Sequence, residues 1–145
     1  MLKIIIGLTK QTKGELINHN EDKVCFIGHK NNLKNYLSIR ENLMIQDLKL
    51  NSFNLDLLEK FNLRRHIDNS VGTLSFGQQK KLSLVRVLNS NENVLILDEP
   101  FVGLDKNSKE FLKNFMEAEV KKNKTIIFTS HIDFKDDYRE IKINE

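Results

Sequence analysis

Val94-Leu95-Ile96-Leu97 runs without a polar break into Asp98-Glu99-Pro100. A strand with one wet face alternates apolar and polar residues, so this unbroken run predicts a strand buried on both faces. Strands of that kind belong to parallel sheets covered by helices. Thr125–Thr129 is a second such run. Between the two, Asp105 is placed to cap a helix reaching about Lys122. Strand, helix and strand in that order predict an α/β fold with a mainly parallel sheet.

The rest of the chain fits that frame. Residues 2–8 read as the tail of a helix, with Leu2, Ile5, Ile6 and Leu8 close to one face. Leu16-Ile17 and Val24–Ile27 read as short strands, and His29–Tyr36 as a polar loop. Ser38-Ile39-Arg40-Glu41 has capping-box spacing and opens a helix to about Asp47. Further helix is expected over Leu55–Phe61, with helix and loop from Leu63 to Val71. Ser75-Phe76-Gly77-Gln78 repeats the capping pattern and opens a helix to about Leu88. Ile141 and Ile143 alternate in a last edge strand. No Pro/Gly-rich linker or internal repeat divides the chain. It reads as one domain over 1–145, with a helical part at about 37–92 and a sheet-bearing core over 93–145.

Composition narrows the function classes. With 39% hydrophobic and 30% charged residues the chain is globular, not disordered. Its 23 basic and 20 acidic residues nearly cancel, a balance too even to argue by itself for nucleic acid, and none is expected as a partner. The apolar runs fall far short of the ~20 residues of a membrane span. Cys25 is the only cysteine, so no internal disulfide forms, and a buried apolar role suits it best.

Two carboxylates at the carboxyl end of a buried strand sit where open α/β sheets bind ligands. Asp98 is suited to hold Mg²⁺ beside the phosphates of a nucleotide. Glu99, one residue on, is suited to act as general base toward an attacking water. The plainer reading, two solvated acids before a proline turn, does not explain the apolar run before them or Gly103-Leu104-Asp105 after them. A helix amino terminus offers free N–H groups to phosphate. Ser75 adds a hydroxyl there and Gly77 permits close approach, although Ser75 and Gln78 would also serve simply as a capping box. His131 follows the second buried strand and Ser130, at the same sheet edge as Glu99, within reach of a γ-phosphate. Asp105 reads first as a helix cap. Gly72–Gly77 has the glycine spacing of a phosphate loop, but Gln78-Gln79 stand where Lys-Ser/Thr is required. The chain contains no G-x-x-x-x-G-K-[ST] segment.

Taken together these segments resemble the ABC-type ATPases. Leu74–Gln78 resembles their signature motif, Val94–Glu99 their Walker B strand, Gly103-Leu104-Asp105 their D-loop and Ser130-His131 their H-loop. The resemblance implies a P-loop-type ABC ATPase fold, ATP and Mg²⁺ as cofactors, integral-membrane transporter subunits as partners, and a second ATPase subunit packed head to tail. In that dimer Ser75, Gly77 and Gln78 serve nucleotide held by the other subunit, while Asp98, Glu99 and His131 serve their own. Phe26-Ile27-Gly28-His29, Gln78-Gln79-Lys80-Lys81 and Asp98-Glu99-Pro100-Phe101 resemble the haem-exporter ATP-binding subunits of cytochrome c biogenesis (CcmA type). That implies haem export, on the cytoplasmic face of the cell membrane and attached through partners.

The sequence also departs from the family. Phe76 replaces a small signature residue, and His29-Lys30 stand where the family offers a glutamine. Met1–Leu8 resembles the helix that follows the family's Walker A loop, placing that loop upstream of Met1. The strands Val94–Leu97 and Thr125–Thr129 are then expected to lack a neighbour, leaving the chain aggregation-prone and weak in ATP binding. The rival readings are a non-catalytic subunit donating only its signature face in trans, and a chromosome or repair ATPase. The short, arm-free span from signature to Walker B disfavours the last.

Overall fold

The computed structural model describes residues 2–15, 24–130, 139 and 141. Three strands, β1 (Val24–Ile27), β2 (Val94–Leu97) and β3 (Thr125–Phe128), form a parallel sheet in the order β1-β2-β3. Ile27, Leu97 and Phe128 lie in register. The ladder runs one residue further: Asp98 N–H donates to the Ile27 carbonyl (2.8 Å) and Thr129 N–H to that of Leu97 (3.1 Å).

β2 is the central strand, and Leu95, Ile96 and Leu97 are fully buried, as the unbroken apolar run requires. The expectation that β2 lacks a neighbour is therefore corrected: β1 and β3 flank it. β3 pairs on one side among the described residues, with Thr125 exposed and Ile126–Phe128 half-buried.

The helices follow their caps. α1 (Leu2–Ile5) is shorter than expected because the chain turns away at Gly7, where φ is +74°. α2 (Ile39–Met44) carries both halves of the Ser38–Glu41 capping box. It stops short of Asp47, which takes a left-handed turn at φ +56°. α3 (Ser52–Lys60) starts earlier than Leu55 because Asn51 Oδ1 accepts the Asn54 N–H at 2.9 Å. The segment from Leu63 to Val71 forms no α-helix, only 3₁₀ turns at Arg64–His66 and Val71–Thr73.

α4 (Phe76–Leu88) packs against α3 and β1, and every residue from Lys80 to Val85 is buried. α5 (Lys106–Lys121) packs on β3 and buries Leu112 and Met116. One core joins Leu58, Phe61, Leu84 and Val85 to Leu95 and Leu97, and each such side chain contributes about 1.5–3 kcal/mol. Cys25 is buried in it, and burial pushes its thiol pKa up. Leu16-Ile17 and Ile143 lie outside the described residues. Ile141 is 68% exposed and forms no strand.

Candidate functional site

The register places Asp98 beside Thr129 at the carboxyl edge of the sheet. Thr129 Oγ1 donates to Asp98 Oδ1 at 2.8 Å. The same hydroxyl oxygen accepts the Glu99 N–H at 2.9 Å. Glu99 has φ +46°, a left-handed backbone that non-glycine residues adopt at a cost of roughly 1–3 kcal/mol. The backbone is strained at Glu99, and Thr129 at the end of the neighbouring strand holds it in place.

Lys80 approaches from α4. It is 2% exposed, and its Nζ donates to the Asp98 carbonyl at 3.3 Å. Burial lowers its pKa, with Asp98 and Glu99 opposing that shift. In the sequence Thr129 stands out only as a strand end, and Lys80 only as part of the Gln78-Gln79-Lys80-Lys81 resemblance. The available signal was position: Thr129 ends the strand beside β2, and Lys80 lies on the face of α4 turned to it.

Ser75 caps α4, its Oγ accepting the Gln78 N–H at 3.3 Å, while Gln78 Oε1 accepts the Ser75 N–H at 2.8 Å. Ser75 remains exposed. A Cβ on Gly77 would lie 2.5 Å from the Gly103 carbonyl oxygen, and one on Gly103 would lie 2.8 Å from the Phe76 ring. The segment that opens α4 thus packs directly on the loop after β2. Only glycine at both positions allows that approach. Phe76 is half-exposed, its ring lying against Gly103.

Asp105 holds that loop from its far end. It caps α5 through Ser108 N–H (2.9 Å) and forms an ion pair with Lys81 of α4. The Lys81 ammonium and the Ser108 N–H hold its carboxyl down at about 2. Lys81, too, stands out in the sequence only through that resemblance.

His131 lies outside the described residues. His29 and Lys30 are exposed just past β1. Among the described residues no cluster of three or more His, Cys, Asp or Glu groups forms a metal site. Mg²⁺ fits the donors in another way, since it takes one or two carboxylates and fills its remaining positions with water and phosphate oxygens. Asp98 offers such a carboxylate: Thr129 engages Oδ1, and Oδ2 accepts from none of the described residues.

The chain is similar to known proteins. The family model described as "ABC transporter" matches residues 1–102. The cytochrome c biogenesis ATP-binding export protein CcmA of Legionella pneumophila (strain Lens) is 31% identical, over 97% of this chain and 78% of its own length. That of Roseobacter denitrificans is 33% identical, over 92% of this chain and 65% of its own. The solved structure of an ATP-binding subunit of an ABC transporter superposes with TM-score 0.73 at 25% identity, over 90% of this chain and 62% of that one. The chain therefore spans between three fifths and four fifths of these proteins.

Proposed function

The chain belongs to the ABC transporter family, and from that premise we propose that it serves as the ATP-binding and ATP-hydrolysing subunit of an exporter, with haem for cytochrome c maturation as the cargo. One observation carries the reading: Asp98 and Glu99 stand together past the carboxyl end of the central strand, joined by the Thr129 hydroxyl. The CcmA relatives support export in cytochrome c biogenesis.

In this reading Asp98 holds Mg²⁺, which when bound supplies charge neutralisation at the phosphates. Glu99 orients the attacking water and takes its proton, a role typically worth ~10²–10⁴-fold in rate. In the same reading His131 is the residue assigned to the γ-phosphate. Ser75, Gly77 and Gln78 serve nucleotide held by a second ATPase subunit, where the free N–H groups at the start of α4 meet phosphate. Asp105 ties that face, through Lys81, to the loop that follows β2. The helical part at about 37–92 and the core over 93–145 correspond to signature-bearing and hydrolytic parts. No helix among the described residues is long and apolar enough to cross a membrane. In this reading attachment at the cytoplasmic face runs through integral-membrane subunits.

A second reading has its own observation. No G-x-x-x-x-G-K-[ST] loop lies within these 145 residues. A subunit without one would only lend Ser75 and Gly77 to a complete ATPase. ATP turnover of the assembled transporter separates the two. Loss of turnover in Glu99→Gln supports hydrolysis at this subunit's own carboxylates. Turnover that survives Glu99→Gln but is lost in Ser75→Ala supports the donor role and overturns the first reading.

A further inference from the structure

We infer that Lys80 and Thr129 are positioning residues for Glu99, acting together on the peptide group that joins Asp98 to Glu99. The inference rests on the role given to Glu99 above. That peptide is gripped at both of its polar atoms. Its carbonyl oxygen accepts from Lys80 Nζ at 3.3 Å, and its N–H donates to Thr129 Oγ1 at 2.9 Å. A peptide is planar and rigid, so holding the oxygen and the nitrogen sets the orientation of the whole unit. Glu99 leaves that unit with φ +46°, and the grip sets the direction in which its chain departs.

The Thr129 hydroxyl bridges the two residues. Its one proton goes to Asp98 Oδ1 and a lone pair receives the Glu99 N–H. A serine can do both, whereas the isosteric valine can do neither. Lys80 is the other half. Taking an ammonium out of water is costly unless it is paired, yet Lys80 is 2% exposed. Among the described residues its ammonium makes one hydrogen bond, to the Asp98 carbonyl. A methionine would fill the same space without that cost; the charge is offset by the Asp98 and Glu99 carboxylates beside it and directed onto the carbonyl that it holds.

The two grips come from different places. Lys80 lies on α4, whose first turn carries Ser75 and Gly77, and Thr129 leads into Ser130-His131. A displacement of α4, or of the end of β3, is thereby delivered to the backbone of Glu99 itself. In the assembled protein, engagement of the signature face would reorient the general base through Lys80.

The test reads the grip and its use separately, in the assembled transporter. Hydrogen–deuterium exchange resolved at the Glu99 amide reads the grip, and ATP turnover reads the use. In Thr129→Val the Glu99 amide exchanges about tenfold faster and kcat falls about tenfold with KM for ATP unchanged, the scale of one lost hydrogen bond. Thr129→Ser stays within about threefold of the parent on both measures. Lys80→Met lowers kcat by a similar factor, and Lys80→Arg restores most of it. Unchanged exchange in Thr129→Val overturns the grip. Equal losses in the Ser and Val variants, or in the Arg and Met variants, overturn positioning in favour of general destabilisation. Should Thr129→Val not fold, the two Lys80 variants decide. Turnover that survives Glu99→Gln sinks the function proposed above and, with it, the catalytic use of the grip; exchange at Glu99 then reports on the grip alone.

Discussion

The carbonyl oxygen of Gly103 lies 2.5 Å from the point that a Cβ on Gly77 would occupy. The first turn of α4 and the loop after β2 therefore meet backbone to backbone, with no side chain able to yield. Gly77→Ala should force them apart and destabilise the protein by about 1–3 kcal/mol, the usual cost of overpacking. A melting curve that superposes on the parent's would contradict this contact.

Asp105 makes the same junction sensitive to acid. Its carboxyl is lowered from 3.8 to about 2, so its contribution to stability is full above pH 3.8. It is lost as the pH falls through about 2. The carboxylate is 53% exposed, and solvent screening keeps the effect modest. Asp105→Asn should weaken the protein at pH 7 and flatten its loss of stability between pH 4 and 2. Parallel pH profiles for parent and variant would show that the pair with Lys81 carries nothing.

Glu119 sits at the opposite end of α5, with only 7% of its side chain exposed. Burial raises its pKa, but hydrogen bonds from Lys122 and Lys124 outweigh that and leave it lowered. Lys124 is almost as buried, at 13%, and also donates to the Ser90 carbonyl at 2.9 Å, whereas Lys122 is 67% exposed. Lys124→Met should cost about 3 kcal/mol by breaking a buried pair. Lys122→Met should cost less than about 1 kcal/mol. Denaturant midpoints measure both, and equal losses would contradict the difference in burial.

Asn42 is fully buried on α2 and ties down the loop before it. Its Nδ2 donates to the carbonyls of Lys34, Leu37 and Ser38, and its Oδ1 accepts the Lys34 N–H. Asn42→Leu keeps the branched shape but strips these buried groups of their partner, at about 1–3 kcal/mol. Faster amide exchange at Lys34 should accompany the loss. An Asn42→Leu protein of undiminished stability would mean that water replaces the side chain.

What the sequence alone determined is local. Ser38, Ser75 and Asp105 announce the starts of α2, α4 and α5, because a cap acts within three residues of itself. Val94–Leu97 announces a strand buried on both faces, because its apolar run has no wet side. The tertiary structure decided what lies far apart in the chain. Val24–Ile27 proved to be the second neighbour that makes β2 central. Lys80 and Lys81 look like the polar face of a helix, yet both are buried, because α4 is enclosed on most of its surface. Thr129 looks like the end of a strand, and only the parallel register puts its hydroxyl between Asp98 and Glu99. Nothing in the residues near Gly77 foretells Gly103, since that contact exists only once the helix and the loop are packed.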